Sequence, residues 1–395
     1  MKNKLLITGF AIFIILCSCN KEKPLNKIID ESLVFSARQY SRMAEVMKDK
    51  PDLLPRTIDA SGALVTSNSG WWTSGFFPGS LWNLYEYSKD DKFKDAAIQI
   101  TSRIEKEKNN TGTHDLGFML YCSFGNGFRL TGDQSYKDVL LTGARSLSTR
   151  FRPNIGCIQS WGSRKGWQCP VIIDNMMNLE FLMWAFNQTG DSSFYKIAVI
   201  HSDTTIKNHF RPDFSTWHVV SYDTITGKVE AKQTAQGAAD GSAWSRGQVW
   251  GLYGYTVMYR ETGLQRYLDQ AVHIADFLIS HPNMPEDKIP YWDFNAPGIP
   301  DTNRDASAGA IMASALIELS GFVTQEKKDQ YLTVAEKQIR SLASSAYMAK
   351  EGENGNFILM HSVGSLPAKS EVDVPLTYAD YYFIEALMRY RKLLD

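Results

Sequence analysis

The chain has 395 residues, of which 44% are hydrophobic, and its 42 basic and 43 acidic side chains leave a net charge of −1. A charge this evenly balanced argues against nucleic acid as a partner. The length is enough to bury a large core, and no low-complexity or charged block interrupts the sequence after residue 24, so we expect one catalytic domain over 28–395.

The N-terminus has the features of an export signal. Two lysines precede an apolar run, Leu5 to Leu16, that is too short to span a bilayer comfortably. The next residues resemble a bacterial lipobox whose lipidated residue would be Cys19, the alternative being an ordinary signal peptide cut nearby. We therefore expect a lipoprotein signal peptide over 1–18 and a polar tether over 19–27. The protein would be an exported lipoprotein of a Gram-negative-type bacterium, periplasmic or outer-membrane associated, with the lipid as its only membrane attachment.

Three cysteines follow Cys19, at positions 122, 157 and 169. Their odd number and the absence of a CxxC or other zinc spacing predict neither a disulfide framework nor a metal site. We interpret them as buried free thiols and expect no cofactor. Nothing in the pattern indicates an oligomeric state.

An unevenly spaced repeat runs through the rest of the chain. Five times, an apolar helical run ends in a short turn that is followed by an aromatic residue and a second helix. A glycine stands where a helix C-cap would fall in most copies, which is typical of an αα-hairpin. The copies are Glu86–Asp90 with Phe93, Leu130–Asp133 with Tyr136, Gln188–Asp191 with Phe194, Glu261–Gly263 with Tyr267, and Leu319–Gly321 with Tyr331.

Together with an opening helix near Ile28–Met47 and a closing helix at about Tyr378–Leu394, the hairpins predict twelve helices. The first helix of a hairpin is apolar nearly all round, as in Phe181–Phe186, whereas the second is amphipathic, as in Tyr267–Ala275. Such a difference is expected for two concentric rings. We predict an all-α fold, an (α/α)6 toroid of six helical hairpins, in which the segments before the inner helices meet at one mouth.

The segments at this mouth carry an unusual set of aspartates and tryptophans. An aspartate at a helix start is most often a cap, and this applies to each of Asp115, Asp174, Asp240 and Asp305. Several in register at one mouth favour a sugar site, because tryptophan faces pack on sugar rings and paired carboxylates perform acid/base chemistry on glycosides. The interleaved tryptophans are Trp72, Trp161, Trp167, Trp244 and Trp250. Two others, Trp82 and Trp184, have helical spacing and are expected in the core.

Four blocks, in this order, closely resemble the unsaturated glucuronyl hydrolases, glycoside hydrolase family 88. The resemblance runs from about Trp71 to Arg389, nearly the whole predicted domain. Four matching blocks in the same order are specific evidence for this family, whereas a single block would be weak evidence. They are His114–Phe118, Ile173–Leu179, Ser242–Gly251 and Asp373–Tyr382.

The resemblance implies roles for individual residues. Asp174 would be the general acid/base and Asp115 the second essential carboxylate. The residues implied to surround the uronate are His114, His218, Gln236 and Arg246, and those implied to form the walls are Trp72, Trp161 and Trp250. Ser362 and Ser365, with Lys369, loosely resemble residues that receive a sulfate in some members, the alternative being a solvated loop. Arg246 and Arg304 could supply positive charge for an acidic substrate.

The implied reaction removes the 4,5-unsaturated uronic acid from the non-reducing end of lyase-generated oligosaccharides, with glycosaminoglycan disaccharides as the expected partners. Hydration of the C4=C5 enol ether would begin with protonation by Asp174, so its pKa must lie above the ~3.9 of a free aspartate. An apolar, tryptophan-walled site beside another carboxylate is expected to raise it.

Three alternatives remain open at this point. The nearest is an unsaturated rhamnogalacturonyl hydrolase acting on pectin fragments, with the same fold and reaction. A polysaccharide lyase or sugar epimerase could use the same toroid. A non-catalytic surface glycan-binding lipoprotein would use the mouth only to capture sugar.

Overall fold

Two concentric rings of helices make up the computed structural model, which describes residues 23–394. Two of the inner helices are preceded by irregular turns, a π-helical segment at Gly117–Gly125 and a 3-10 segment at Ile173–Asn178. The twelve α-helices of the described residues are α1 Leu25–Lys48, α2 Phe76–Ser88, α3 Asp91–Ser102, α4 Asn126–Thr131, α5 Gln134–Ser148, α6 Leu179–Thr189, α7 Ser192–His209, α8 Ser245–Thr262, α9 Gln265–Ser280, α10 Ala306–Leu319, α11 Gln325–Leu342 and α12 Thr377–Leu394.

The inner ring consists of α2, α4, α6, α8, α10 and α12 with their preceding turns, and it closes where α12 packs against α2. Each inner helix is covered by its hairpin partner in the outer ring, and α1 covers α12. Every residue of α8 from Ser245 to Met258 is buried, whereas α9 buries one face only. The predicted (α/α)6 toroid is therefore confirmed.

The turns between paired helices explain why the repeat could be seen in the sequence. Gly132, Gly190 and Gly263 end three inner helices in the left-handed conformation, with φ of 70°, 73° and 67°, which glycine adopts without steric strain. Asp133 and Asp191 then cap α5 and α7 by accepting a backbone N–H two residues later. The chain reverses direction within three residues because the glycine that ends one helix is followed directly by the aspartate that caps the next.

Short strands, which the sequence analysis did not predict, lie between the helices. They have two to five residues each, too few for an alternating pattern to stand out. All pairings are antiparallel. The strands are β1 Leu54–Ile58, β2 Leu64–Ser67, β3 Phe151–Arg152, β4 Cys157–Ile158, β5 Cys169–Ile172, β6 Val219–Tyr222, β7 Val229–Gln233, β8 Ser362–Ser365 and β9 Ser370–Val374.

Most of the N-terminal features predicted from the sequence precede the residues that the structure describes. The predicted signal peptide and Cys19 lie outside the described residues. Of the predicted tether, Leu25 to Lys27 already belong to α1. Among the helices that the structure describes, none has both the length and the apolar character needed to cross a membrane.

Candidate active site

One row of the β5–β6–β7 sheet brings three distant parts of the chain together. Ile172 of β5 pairs with Val219 of β6, which pairs with Gln233 of β7. Asp174 lies shortly after Ile172, and His218 directly precedes Val219. Gln236 lies shortly after Gln233. The sheet therefore positions all three side chains at the mouth of the barrel.

Asp174 is the most perturbed carboxyl group of this site. It is 9% exposed, and its Oδ2 atom has no hydrogen-bond partner. Burial raises the pKa of Asp174 to about 7; the positive charge of Arg246 opposes this increase and the negative charge of Asp115 reinforces it. A pKa near neutrality fits a group that must both donate and accept a proton. The increase expected from the sequence is therefore present, with burial as its main cause.

His218 faces Asp174 as a neutral hydrogen-bond donor. Its Nδ1 atom accepts the backbone N–H groups of Ala235 and Gln236 at 3.1 and 3.2 Å. Burial lowers the pKa of His218 well below its ordinary value, so the neutral ring carries its proton on Nε2. That Nε2 lies 3.8 Å from Asp174 Oδ2 and has no hydrogen-bond partner. The two unpartnered atoms face the same space.

Asp115 and His114 come from the segment before the π-helix. His114 Nε2 is 3.4 Å from Asp115 Oδ1, and Asp115 Oδ2 accepts the hydroxyl of Thr113 at 3.0 Å. The segment lies against the Asp174 segment, because a Cβ on Gly117 would come within 2.6 Å of Asn178 Oδ1. Only glycine permits this approach, which brings the two aspartates into electrostatic contact.

The three predicted wall tryptophans all lie at this mouth. Trp72 packs on Tyr378 with ring centroids 4.9 Å apart, and Trp250 packs on Phe118 at 5.2 Å. Trp161 meets the His218 ring edge-on at 6.0 Å. Trp250 is fully buried, whereas Trp72 and Trp161 retain part of their surface for a ligand.

Arg246 lies behind the pocket. It is 1% exposed, and its Nη1 atom donates to Asp305 Oδ2 at 3.0 Å and to the carbonyl of Val363, while Nη2 donates to the carbonyl of Gly364 at 2.6 Å. Gln236 Nε2 donates to the same Gly364 carbonyl at 2.9 Å. Two of the four predicted uronate ligands, Arg246 and Gln236, therefore hold the β8–β9 hairpin against the barrel.

The remaining candidates are divided between the mouth and its surroundings. Ser362 is fully buried on β8 with an unpartnered hydroxyl, and Ser365 is half-buried at the end of the same strand. Lys369 is exposed in the turn of this hairpin. Arg304 pairs with Asp287 at 2.8 Å and packs over Tyr291, and no contact among the described residues joins it to Asp174.

Among the other mouth aspartates, the cap interpretation holds for Asp305, which caps α10 through the N–H of Ser307. Asp240 is exposed and accepts the backbone N–H of Thr234.

Two residues of the site were assigned no individual role from the family resemblance, although Trp244 was among the tryptophans expected at the mouth. Tyr378 is 1% exposed, its hydroxyl has no hydrogen-bond partner, and its charge interactions include both Arg246 and Asp174. The Trp244 ring packs on the His218 ring with centroids 4.5 Å apart and planes tilted by 38°. Both lie within blocks that carried the family resemblance, and that was the available signal.

Comparisons with known proteins agree on one family. Residues 43–390 match the family described as Glycosyl Hydrolase Family 88. The chain is 48% identical over 385 residues to the unsaturated glucuronyl hydrolase of Formosa agariphila, covering 95% of each protein. A solved structure of an unsaturated glucuronyl hydrolase specific for heparin has a TM-score of 0.91 at 45% identity, covering 93% of this chain and 98% of that one. A mutant enzyme from Streptococcus agalactiae, complexed with dGlcA-GalNAc6S, has a TM-score of 0.80 at 27% identity over 95% and 94% of the two chains.

Proposed function

Because the chain belongs to glycoside hydrolase family 88 and is an enzyme that removes unsaturated uronic acid from oligosaccharides, we propose that Asp174 transfers the protons of this reaction. The observation that carries the proposal is the buried Asp174 carboxyl, with a pKa of about 7 and an Oδ2 atom that no protein group satisfies. A buried polar atom without a partner is costly unless a ligand completes it. The substrate would complete this one.

The chemistry follows from the enol ether that a lyase leaves between C4 and C5 of the terminal uronate. Asp174 donates its proton to C4, and positive charge develops at C5 and the ring oxygen. Water adds to C5 and returns a proton to the Asp174 carboxylate. The resulting hemiketal opens to a ketone at C5 and a hemiacetal at C1. The hemiacetal collapses to an aldehyde, which breaks the glycosidic bond and releases the second sugar as an alcohol. One carboxyl group with a pKa of about 7 suits both steps, since it is present in both protonation states near neutral pH.

His218 and Asp115 complete the site around that carboxyl group. His218 donates from Nε2 into the space in front of Asp174 Oδ2, where it binds a substrate oxygen or orients the attacking water. Asp115 adds negative charge that helps to keep Asp174 protonated and stabilises the cation at C5. Trp72 and Trp161, which are half-buried, provide aromatic surface against which the sugar packs.

Glycosaminoglycan disaccharides are the substrates we propose, in preference to pectin fragments. The support is the similarity to an enzyme specific for heparin and to an enzyme complexed with dGlcA-GalNAc6S. The half-buried Ser365 and the unpartnered hydroxyl of Ser362 fit a sulfated sugar, because hydroxyl groups can donate hydrogen bonds to its oxygens.

We also propose that the enzyme acts as an exported lipoprotein, in the periplasm or at the outer membrane. The support is the sequence pattern before Cys19. Metabolic labelling with a palmitate analogue should mark the wild-type protein but not Cys19→Ala. Equal labelling of the two proteins would contradict the proposed anchor.

The proposed reaction is tested by the ultraviolet absorbance of the enol ether. Unsaturated disaccharides from chondroitin, hyaluronan, heparin and pectin are mixed with the purified domain and with Asp174→Asn. We expect absorbance to fall with the wild-type protein, to stay constant with the variant, and to fall fastest on a glycosaminoglycan disaccharide. Constant absorbance on every substrate with retained sugar binding would contradict the reaction, and a preference for the pectin product would contradict the substrate.

A further inference from the structure

A short positively charged loop lies beside the pocket, between β4 and β5. We refer to residues 161–168 as the cationic loop. Arg164 and Trp167 exchange backbone hydrogen bonds of 3.1 and 2.8 Å across a two-residue turn. Lys165 and Gly166, at its centre, have φ of 51° and 79°, so both are left-handed, as in a type I′ turn. Lysine is an unfavourable residue at this position, where asparagine or glycine is preferred.

The loop carries an aromatic platform. The rings of Trp161 and Trp167 stack with centroids 6.2 Å apart and planes within 21°. The guanidinium of Arg164 lies 3.6 Å from the centroid of the Trp161 ring, and Lys165 Nζ lies 5.8 Å from that of Trp167. Because Trp161 also touches the His218 ring, the platform is one side chain away from Asp174.

The two charges of the loop have no acidic partner. Within residues 23–394, neither Arg164 nor Lys165 forms an ion pair, whereas Arg246 is paired with Asp305. The carboxylate of Glu230, bonded to the loop residue Gln168, also accepts the hydroxyl of Ser221. Both Arg164 and Lys165 are exposed, which leaves their N–H groups available to a ligand.

The charges nevertheless act on the pocket. After burial, which is the largest cause, the positive charges that lower the pKa of His218 include Arg164 and Lys165. Arg164 also contributes to the lowered pKa of His114, again after burial. The loop is therefore close enough to a bound substrate for its charges to matter.

We propose that Arg164 and Lys165 bind an anionic group on the saccharide that leaves, either a sulfate ester on its first sugar or the carboxylate of its next uronate. The inference rests on the proposed function, in which the terminal uronate occupies the buried pocket at Asp174. The next sugar must then lie at the rim, against the exposed surface of Trp161. The Arg164 guanidinium, 3.6 Å from the centroid of that ring, has N–H groups that can bind an anionic oxygen of a sugar lying beside Trp161. This site is on a different element from Ser362 and Ser365.

The variants that test the proposal keep the loop folded. Lys165→Asn removes one charge and supplies the residue that the type I′ turn prefers. Arg164→Gln removes the other and keeps a flat amide over Trp161. The matched control is Lys228→Gln, an exposed lysine that lies next to the far end of β7, roughly 16 Å along the strand from Gln233.

The kinetics compare three unsaturated substrates: an unsulfated disaccharide, its sulfated counterpart, and an unsulfated tetrasaccharide that has a second uronate. The double variant combines Arg164→Gln with Lys165→Asn. On the anionic substrate that the loop binds, we expect its kcat/KM to fall by about fivefold to twentyfold, mainly because KM rises. On the unsulfated disaccharide, the loss of kcat/KM should be smaller. Loss on the sulfated disaccharide identifies a sulfate site, and loss on the tetrasaccharide identifies a carboxylate site. Lys228→Gln should leave the ratios between substrates unchanged.

A binding measurement separates this inference from the reaction itself. In calorimetry on the Asp174→Asn background, the loop variants should bind the anionic substrate more weakly, while the unsulfated disaccharide changes less. Unchanged substrate ratios and unchanged affinities in the double variant would overturn the inference and leave the proposed function intact. If wild-type protein leaves every substrate unchanged, the proposed function fails and the inference fails with it.

Discussion

The two ends of the barrel differ in how their buried polar groups are satisfied. At the mouth, His114 Nδ1, Asp174 Oδ2, His218 Nε2, Ser362 Oγ and Tyr378 OH are buried without a hydrogen-bond partner. At the opposite end, Arg260 contacts Glu180, Glu261 and Glu318, while Arg389 contacts Glu318 and Glu385.

The opposite end also contains a cavity of about 480 Å³, lined in part by Tyr121, Trp184 and Glu180. The presence of a cavity therefore does not by itself identify the catalytic end, whereas unsatisfied buried polar groups do. A charge network whose members satisfy one another contributes to the fold, whereas unpartnered buried atoms destabilise it by about 1–3 kcal/mol each until a ligand binds. The unpartnered buried atoms therefore identify the mouth as the catalytic end of the barrel.

The largest expected effect is that of Asp174→Asn on activity. The variant keeps the shape of the side chain but cannot transfer a proton, so kcat should fall by about 10³-fold. The absorbance assay measures the loss, and the melting temperature should not decrease. The matched control is Asp380→Asn, since Asp380 is also buried with a pKa raised by burial to about 7, but accepts hydrogen bonds from Ile358, Leu359 and Tyr40.

Asp380→Asn should lose stability by about 1–3 kcal/mol and remain active where it is folded, because it breaks satisfied hydrogen bonds. The distinction between these two carboxyl groups would be wrong if Asp174→Asn kept its activity. It would also be wrong if Asp380→Asn lost activity without losing stability.

The pH dependence of stability is the next largest effect. The pKa of Asp174 is about 7 in the folded protein and near 3.8 when unfolded. Between these values the folded state holds a proton that the unfolded state has released, so the free energy of unfolding falls as pH rises through this window. In Asp174→Asn this contribution is absent. Between pH 4 and pH 8, the free energy of unfolding of the variant should therefore rise relative to that of wild type by up to about 4 kcal/mol. Urea denaturation at several pH values measures the difference, and parallel curves would contradict it.

Catalysis should follow the same ionisation. The protonated form of Asp174 is the acid, so wild-type kcat/KM should decline about tenfold per pH unit above its pKa of about 7. A rate that stays level to high pH would exclude Asp174 as the acid. His218 is neutral throughout this range because burial holds its pKa well below the ordinary value, so His218 does not contribute to the decline.

Arg260→Met tests whether the charge network at the opposite end of the barrel contributes to stability but not to catalysis. It leaves three carboxylates without their shared cation and should destabilise the protein by about 1.5–3 kcal/mol. Its kcat should stay within about twofold of wild type, since Arg260 makes no contact with the reacting groups. The control is Arg266→Met, whose half-exposed pair with Asp203 contributes at most about 1 kcal/mol. A large loss of kcat in folded Arg260→Met would show that the two ends are coupled.

The smallest effect is expected for Ser362→Ala. Its hydroxyl is buried without a partner, so its removal should not lower the melting temperature. If the hydroxyl binds substrate, kcat/KM falls by about threefold to tenfold. Ser314→Ala is the counterpart, because the Ser314 hydroxyl donates to Glu385 at 2.6 Å, and it should lose stability without losing activity. Unchanged kinetics for Ser362→Ala would remove that residue from the site.

The sequence by itself determined the helical architecture. Each hairpin turn is a local event, in which a left-handed glycine such as Gly190 ends one helix and an aspartate such as Asp191 caps the next. The two kinds of apolar pattern then assigned each helix to the inner or outer ring. The blocks around Asp115, Asp174 and Arg246 were sufficient for the family, because they are contiguous stretches of sequence.

Only the tertiary structure decided the electrostatics and the partners of these residues. The pKa of Asp174 depends mainly on its burial, which no local pattern reveals. Arg246 is bound by the carbonyls of Val363 and Gly364, more than a hundred residues away, and was for that reason predicted only as a ligand of the uronate. The short strands were missed because pairing with distant partners, rather than local preference, makes two to five residues extended.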